Sequence, residues 1–136
     1  MKSIHVLHTG ERIPVGKIIC VGRNYREHAR EMKSEVGEDP ILFIKPSTAI
    51  IQSGDEIVMP PFSRELHHEV EFVILIGREG KNIPPESAYE YVFGYGVGLD
   101  MTLRDVQRES KKLGLPWSVA KGFDTSAPIS DIVPKD

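Results

Sequence analysis

Apolar residues in this chain fall in short runs separated by Gly and Pro, with few long helical stripes between them. Residues 17–22 (KIICVG), 41–45 (ILFIK) and 56–59 (EIVM) are β-branched or apolar stretches of strand length, with a polar turn at Ser53-Gly54-Asp55 between the last two. The clearest strand is 69–76 (EVEFVILI), and VFGYGVGLD is a Gly-rich strand that ends at Asp100. Helical spacing occurs in three places. Residues 24–33 have Asn24 as N-cap and Glu27 three positions on, and 85–91 carry Pro85 in a first turn. Residues from about 103 to 113 follow a Thr102/Asp105 capping pair and stop at Gly114. The pattern predicts a mostly β, α+β fold with short helices.

Size and charge narrow the function. The chain has 136 residues, 40% of them hydrophobic, which suits one domain with one core. Seventeen basic against twenty acidic side chains give a formal charge of -3, so no broad basic face awaits a nucleic acid. No run approaches the roughly eighteen apolar residues of a membrane helix, and MKSIHVLHTG lacks the apolar core of a secretory signal. A cytoplasmic protein without a membrane partner is expected, or a mitochondrial-matrix one if an organellar presequence has been removed. Cys20 is the single cysteine, which excludes an intrachain disulfide and a thiolate cluster; it reads as a small core residue.

The stretch HHEVEFVILIG places charged groups at the entrance of an apolar strand. Glu69 and Glu71 are two apart, so on a strand they share a face, roughly 7 Å apart along the backbone. Two carboxylates converging in a closed site repel by about 3 kcal/mol, which calls for a cation or a shared proton. Asp100, at another strand end, offers a third oxygen, and an all-carboxylate set suits Mg2+ or Mn2+ better than Zn2+. The plainer alternative for E-x-E is a solvated strand face. His67 and His68 point to opposite faces and cannot both join these acids. His28 and Glu31 are three apart on the expected helix; such a pair orients an imidazole as a general base, although ordinary helix-surface charges have the same spacing. Lys121 could aim an ammonium at developing negative charge, or be a solvated loop lysine.

Taken together, ICVGRNYREHARE, ILFIKPSTAI, HHEVEFVILIG, YVFGYGVGLDMTLRDVQ and PWSVAKGFDTSAPIS resemble the fumarylacetoacetate hydrolase family, in its small acylpyruvate hydrolase and oxaloacetate decarboxylase branch. The resemblance runs from about Lys17 onward. It implies a mixed β-sandwich roll with short helices, and Mg2+ or Mn2+ held by Glu69, Glu71 and Asp100. It further implies His28, Glu31 and Lys121 as catalytic residues, Arg23, Lys45, Arg104 and Gln107 as substrate-binding residues, and a homodimer. The implied activity is metal-dependent carbon-carbon hydrolysis of acylpyruvates, decarboxylation of oxaloacetate, or both, on a small 2-oxo acid. The alternatives are an isomerase or hydrolase of unsaturated dicarboxylates from aromatic catabolism, and a catalytically incomplete metal-binding fragment. Members of the family continue beyond the point matching ISDIVPKD with further core strands and a Thr-Gly-Thr-Pro loop, so residues 1–136 are expected to form one incomplete catalytic domain lacking its C-terminal strands.

Overall fold

The computed structural model describes residues 1–22 and 40–136. The expected helix at 24–33, and with it Arg23, His28 and Glu31, lies outside the described residues. Strands β1 (Ser3–His5) and β2 (Arg12–Pro14) form an antiparallel hairpin. Strands β3 (Lys17–Gly22) and β4 (Ile41–Pro46) pair antiparallel, with Ile18 opposite Lys45 and Cys20 opposite Phe43. Directly opposed residues share a face. That register turns Ile18, Cys20, Phe43 and Lys45 inward, while Ile19, Val21, Leu42 and Ile44 are exposed.

A 3-10 turn at Ser47–Ala49 leads into β5 (Ile50–Gln52), and the chain then turns at Ser53-Gly54. Next come β6 (Leu66–His67), β7 (Val70–Ile76), a 3-10 helix at Pro85–Tyr91 and β8 (Val92–Leu99). They are followed by β9 (Thr102–Leu103), α1 (Arg104–Leu113), α2 (Ser118–Lys121), β10 (Ala127–Ile129) and β11 (Val133–Pro134). In the main sheet β8 takes β7 along one edge and β10 and β11 along the other, and β10 runs parallel to β5. The glycines of β8 make this possible. A Cβ at Gly96 would stand 2.8 Å from Ile132 Cδ1 and one at Gly98 2.9 Å from Val73 Cγ2, so side chains there would push the neighbouring residues off the strand.

Beneath this sheet Ile4, Ile50, Ala127, Ile129 and Ile132 form the core, with Val73, Leu75 and Phe93 packed against it. Val73 and Leu75 belong to the inner face of β7, the same face as Glu71 by the two-residue period. The charged entrance and the apolar core are thus successive parts of one strand face.

The mostly β, α+β fold agrees with the sequence pattern, and two local expectations do not hold. Residues 56–59 are not a strand: they run without ladder pairing, and Val58 N donates instead to Thr125 Oγ1 at 2.9 Å. The Thr102/Asp105 capping pair does not form either. Leu103 occupies the N-cap position without a side-chain bond, because Asp105 accepts from Ser63 Oγ at 2.7 Å and Arg64 N at 2.9 Å. Asp105 thereby fastens the preceding loop to α1. The helix ends as expected at Gly114, whose φ of 65° is the left-handed conformation that glycine adopts most readily.

Candidate active site

The start of β7 and the end of β8 lie side by side. Asp100 N donates to Glu69 O at 2.8 Å, which continues the register beyond Val70 opposite Leu99 and places Glu69 beside Asp100. Glu71 falls opposite Gly98, which has no side chain to compete for the space. Two strand ends therefore bring the three acidic residues to one end of the sheet.

Two lysines enter this acidic corner from other elements. Lys121, the last residue of α2, is only 2% exposed. Its Nζ donates to Asp100 Oδ2 at 2.6 Å, Glu69 Oε2 at 3.0 Å and Thr102 Oγ1 at 2.7 Å, and it sits 5.1 Å from the centre of the Phe43 ring. Lys45, on β4, is also 2% exposed. Its Nζ lies 2.8 Å from Asp100 Oδ1 and donates to Met101 O at 3.0 Å and to Lys121 O. Asp100, 7% exposed, is thus held between two ammonium groups, one on each carboxylate oxygen. Burial lowers the Lys45 pKa, and the Asp100 carboxylate opposes that shift.

Arg104, at the start of α1, completes the ionic network. It bonds Glu69 Oε1 through Nη2, Gln107 Oε1 at 2.7 Å through Nη1, and His67 Nδ1 at 3.1 Å through Nε. Because His67 Nδ1 accepts that bond, its proton belongs on Nε2, which faces Glu65 Oε1 at 3.1 Å. His67 therefore holds an arginine, and His68 is exposed. For Glu69, burial works against ionisation, but the Arg104 hydrogen bond and the Lys121 charge outweigh it and bring its pKa down to about 2. Cys20 faces the same corner. Burial first, with the Asp100 and Glu71 charges adding, pushes its thiol up to about 11 against the opposing lysines, so it stays protonated.

Glu69 and Asp100 supply carboxylate oxygens, the donor type that a hard divalent cation takes. Carboxylates from Glu69 and Asp100 already converge on one positively charged atom, Lys121 Nζ. Asp100 Oδ1 is buried and receives no hydrogen bond of acceptable geometry, although the Lys45 ammonium stands beside it. Among the described residues no three acidic, His or Cys side chains stand together at ligand spacing.

Of the site residues expected from the sequence, the fold brings together Glu69, Asp100, Lys121, Lys45, Arg104 and Gln107, with Glu71 on the same strand face. Sequence reasoning missed Thr102 and His67 as members of the network. Thr102 lies two residues beyond Asp100, and that same-face spacing was a usable signal.

Residues 17–136 match the family model described as fumarylacetoacetate (FAA) hydrolase C-terminal. Over 119 residues, 88% of this chain and 54% of the relative, it is 54% identical to oxaloacetate tautomerase FAHD1, mitochondrial, of Rattus norvegicus, and 52% identical to the Homo sapiens protein of that name over the same shares. Fumarylpyruvate hydrolase from Pseudomonas aeruginosa, solved in complex with Mn2+ and pyruvate, superposes with a TM-score of 0.92 at 41% identity, covering 98% of this chain and 59% of that one. The chain spans about half the length of the curated relatives it matches, 54% for the rat protein. With a family match covering most of its length and the matching fold, the chain belongs to the fumarylacetoacetate hydrolase family.

Proposed function

We propose that this chain carries the metal-binding half of a site that forms and holds the enolate of a small 2-oxo acid. The observation that carries the proposal is the buried corner in which Glu69 and Asp100 converge on Lys121. The relatives' names, oxaloacetate tautomerase and fumarylpyruvate hydrolase, both denote reactions of 2-oxo acids with an enolisable position, and so support it. Glu69, Glu71 and Asp100 would hold Mg2+ or Mn2+, which when bound supplies Lewis-acid polarisation of the substrate's oxo group.

The chain's own groups account for the rest. Lys121 sets a fixed positive charge beside the carboxylates, where enolate charge develops. Arg104 and Gln107 orient one another and stand ready to receive a substrate carboxylate. For an acylpyruvate, the His28-Glu31 pair takes a proton from water as its oxygen adds to the distal carbonyl. The carbon-carbon bond then breaks toward the pyruvate carbon, and the resulting enolate is protonated there. For oxaloacetate, the same enolate forms by loss of carbon dioxide, and tautomerisation needs only a proton taken from and returned to the carbon between the carbonyl groups.

The test is pyruvate release from acetylpyruvate and from oxaloacetate by this chain with Mn2+, repeated after chelation. Release that requires Mn2+ is expected, and release that survives chelation would contradict the proposal. A second reading is a catalytically incomplete half that binds the cation without turnover. It is favoured by the exposed apolar strand faces. Bound Mn2+ with silence on both substrates would select it.

A further inference from the structure

We infer that Lys45 is a positioning residue, which fixes Asp100 and the main chain of Lys121 and makes no contact with substrate. An ammonium has three protons to give. Lys45 donates to Met101 O at 3.0 Å and to Lys121 O, and its charge pairs with Asp100 Oδ1 at 2.8 Å. With these three protein oxygens around Nζ and 2% of the residue exposed, Lys45 is closed off from a ligand.

The choice of acceptors gives the role. Met101 follows Asp100 directly, and Lys121 carries the other ammonium bonded to Asp100, so Lys45 ties β4 to the end of β8 and the end of α2. Lys121 returns the bond on Asp100 Oδ2, and the Lys121 carbonyl also accepts from Ser126 Oγ at 3.0 Å. Each lysine therefore limits where the other and Asp100 can stand. The β3–β4 pair is thereby bonded to the acidic corner through Lys45.

This inference rests on the proposed cation site for one of its two tests. Lys45→Met keeps the stem and removes the charge and all three donors. If Lys45 only adds positive charge near the acids, its removal strengthens Mn2+ binding; if it positions Asp100, removal weakens binding by about 10- to 100-fold, the range for lost partners of metal ligands. Mn2+ titration followed by electron paramagnetic resonance separates these outcomes. The second readout needs no metal: amide hydrogen exchange should quicken at Met101, Gly122 and Ser126 while the β7–β8 ladder keeps its protection. Exchange that quickens everywhere alike, or nowhere, would overturn the inference, as would Mn2+ binding at or above the wild-type affinity. Wild-type protein that binds no Mn2+ would overturn the cation site alone, and the exchange measurement would still decide Lys45. Should Lys45→Met fail to fold, Lys45→Gln, which keeps an N–H donor in place, makes the same comparison with the same criteria and a smaller expected shift.

Discussion

The two faces of β7 and its approach reverse the usual distribution of side chains. The outward positions Val70, Phe72, Ile74 and Ile76 are 61%, 63%, 51% and 57% exposed, while the corner at the strand's entrance buries Lys45, Lys121 and Asp100 almost completely. Apolar surface in water and charge out of water both oppose folding unless something offsets them. In the corner the offset is internal, since each buried charge has an opposite charge within 3 Å. On the outer face the described residues offer only Phe72 stacked on Tyr95 at 5.5 Å. The first region balances its charges among the described residues, and the second leaves its apolar side chains in water.

Removing one charge from the corner should have the largest effect. Asp100→Ala leaves two buried ammonium groups without their shared partner, and breaking such a pair costs about 3–5 kcal/mol. A urea melt should show that loss; a variant as stable as the wild type would mean that the corner is not the closed ionic unit described here.

Acid should act on the same region. The Glu69 pKa is depressed from 4.5 to about 2 by Arg104 and Lys121 in spite of burial, so its stabilising contribution is full above about pH 4.5 and is lost as pH falls through about 2. That contribution amounts to about 3 kcal/mol. Arg104→Met should remove much of it and flatten the stability-against-pH curve between those values, with little effect near pH 7 on the shape of the curve.

A cation that binds the folded corner should stabilise the chain, by about 2.7 kcal/mol at a hundredfold excess over its Kd, and chelation should reverse the gain. Glu71→Gln should abolish this Mn2+-dependent rise in melting temperature. On the outer face the effect is smallest. Ile74→Lys should change the stability of the isolated chain by no more than about 0.5 kcal/mol, because the side chain already meets water. It should reduce self-association measured by sedimentation, since an exposed apolar face favours association.

The same contrast explains what could be read from the sequence. β3, β4, β7, β8 and α1 were legible because run length, alternation and a terminal Gly mark them locally. β10 and β11 were not, for each is three residues or fewer and contains a proline, and they form because β8 offers an edge. EIVM at 56–59 shows the converse: an apolar run without a ladder partner remains a loop. Glu69 and Glu71 on one face followed from the strand period. That Lys121 and Lys45 would be buried against Asp100 followed from no local pattern, because Lys121 lies 21 residues from Asp100 and Lys45 lies 76 residues from Lys121, whose carbonyl it bonds. Local spacing finds side chains on one strand, whereas the network depends on which strands the topology brings together.

The most direct test of the central claim is calorimetric titration of Mn2+ into this chain and into Glu71→Gln. The account predicts one Mn2+ bound per wild-type chain and none in the variant. Equal binding by both, or no binding by a folded wild-type chain, would contradict it.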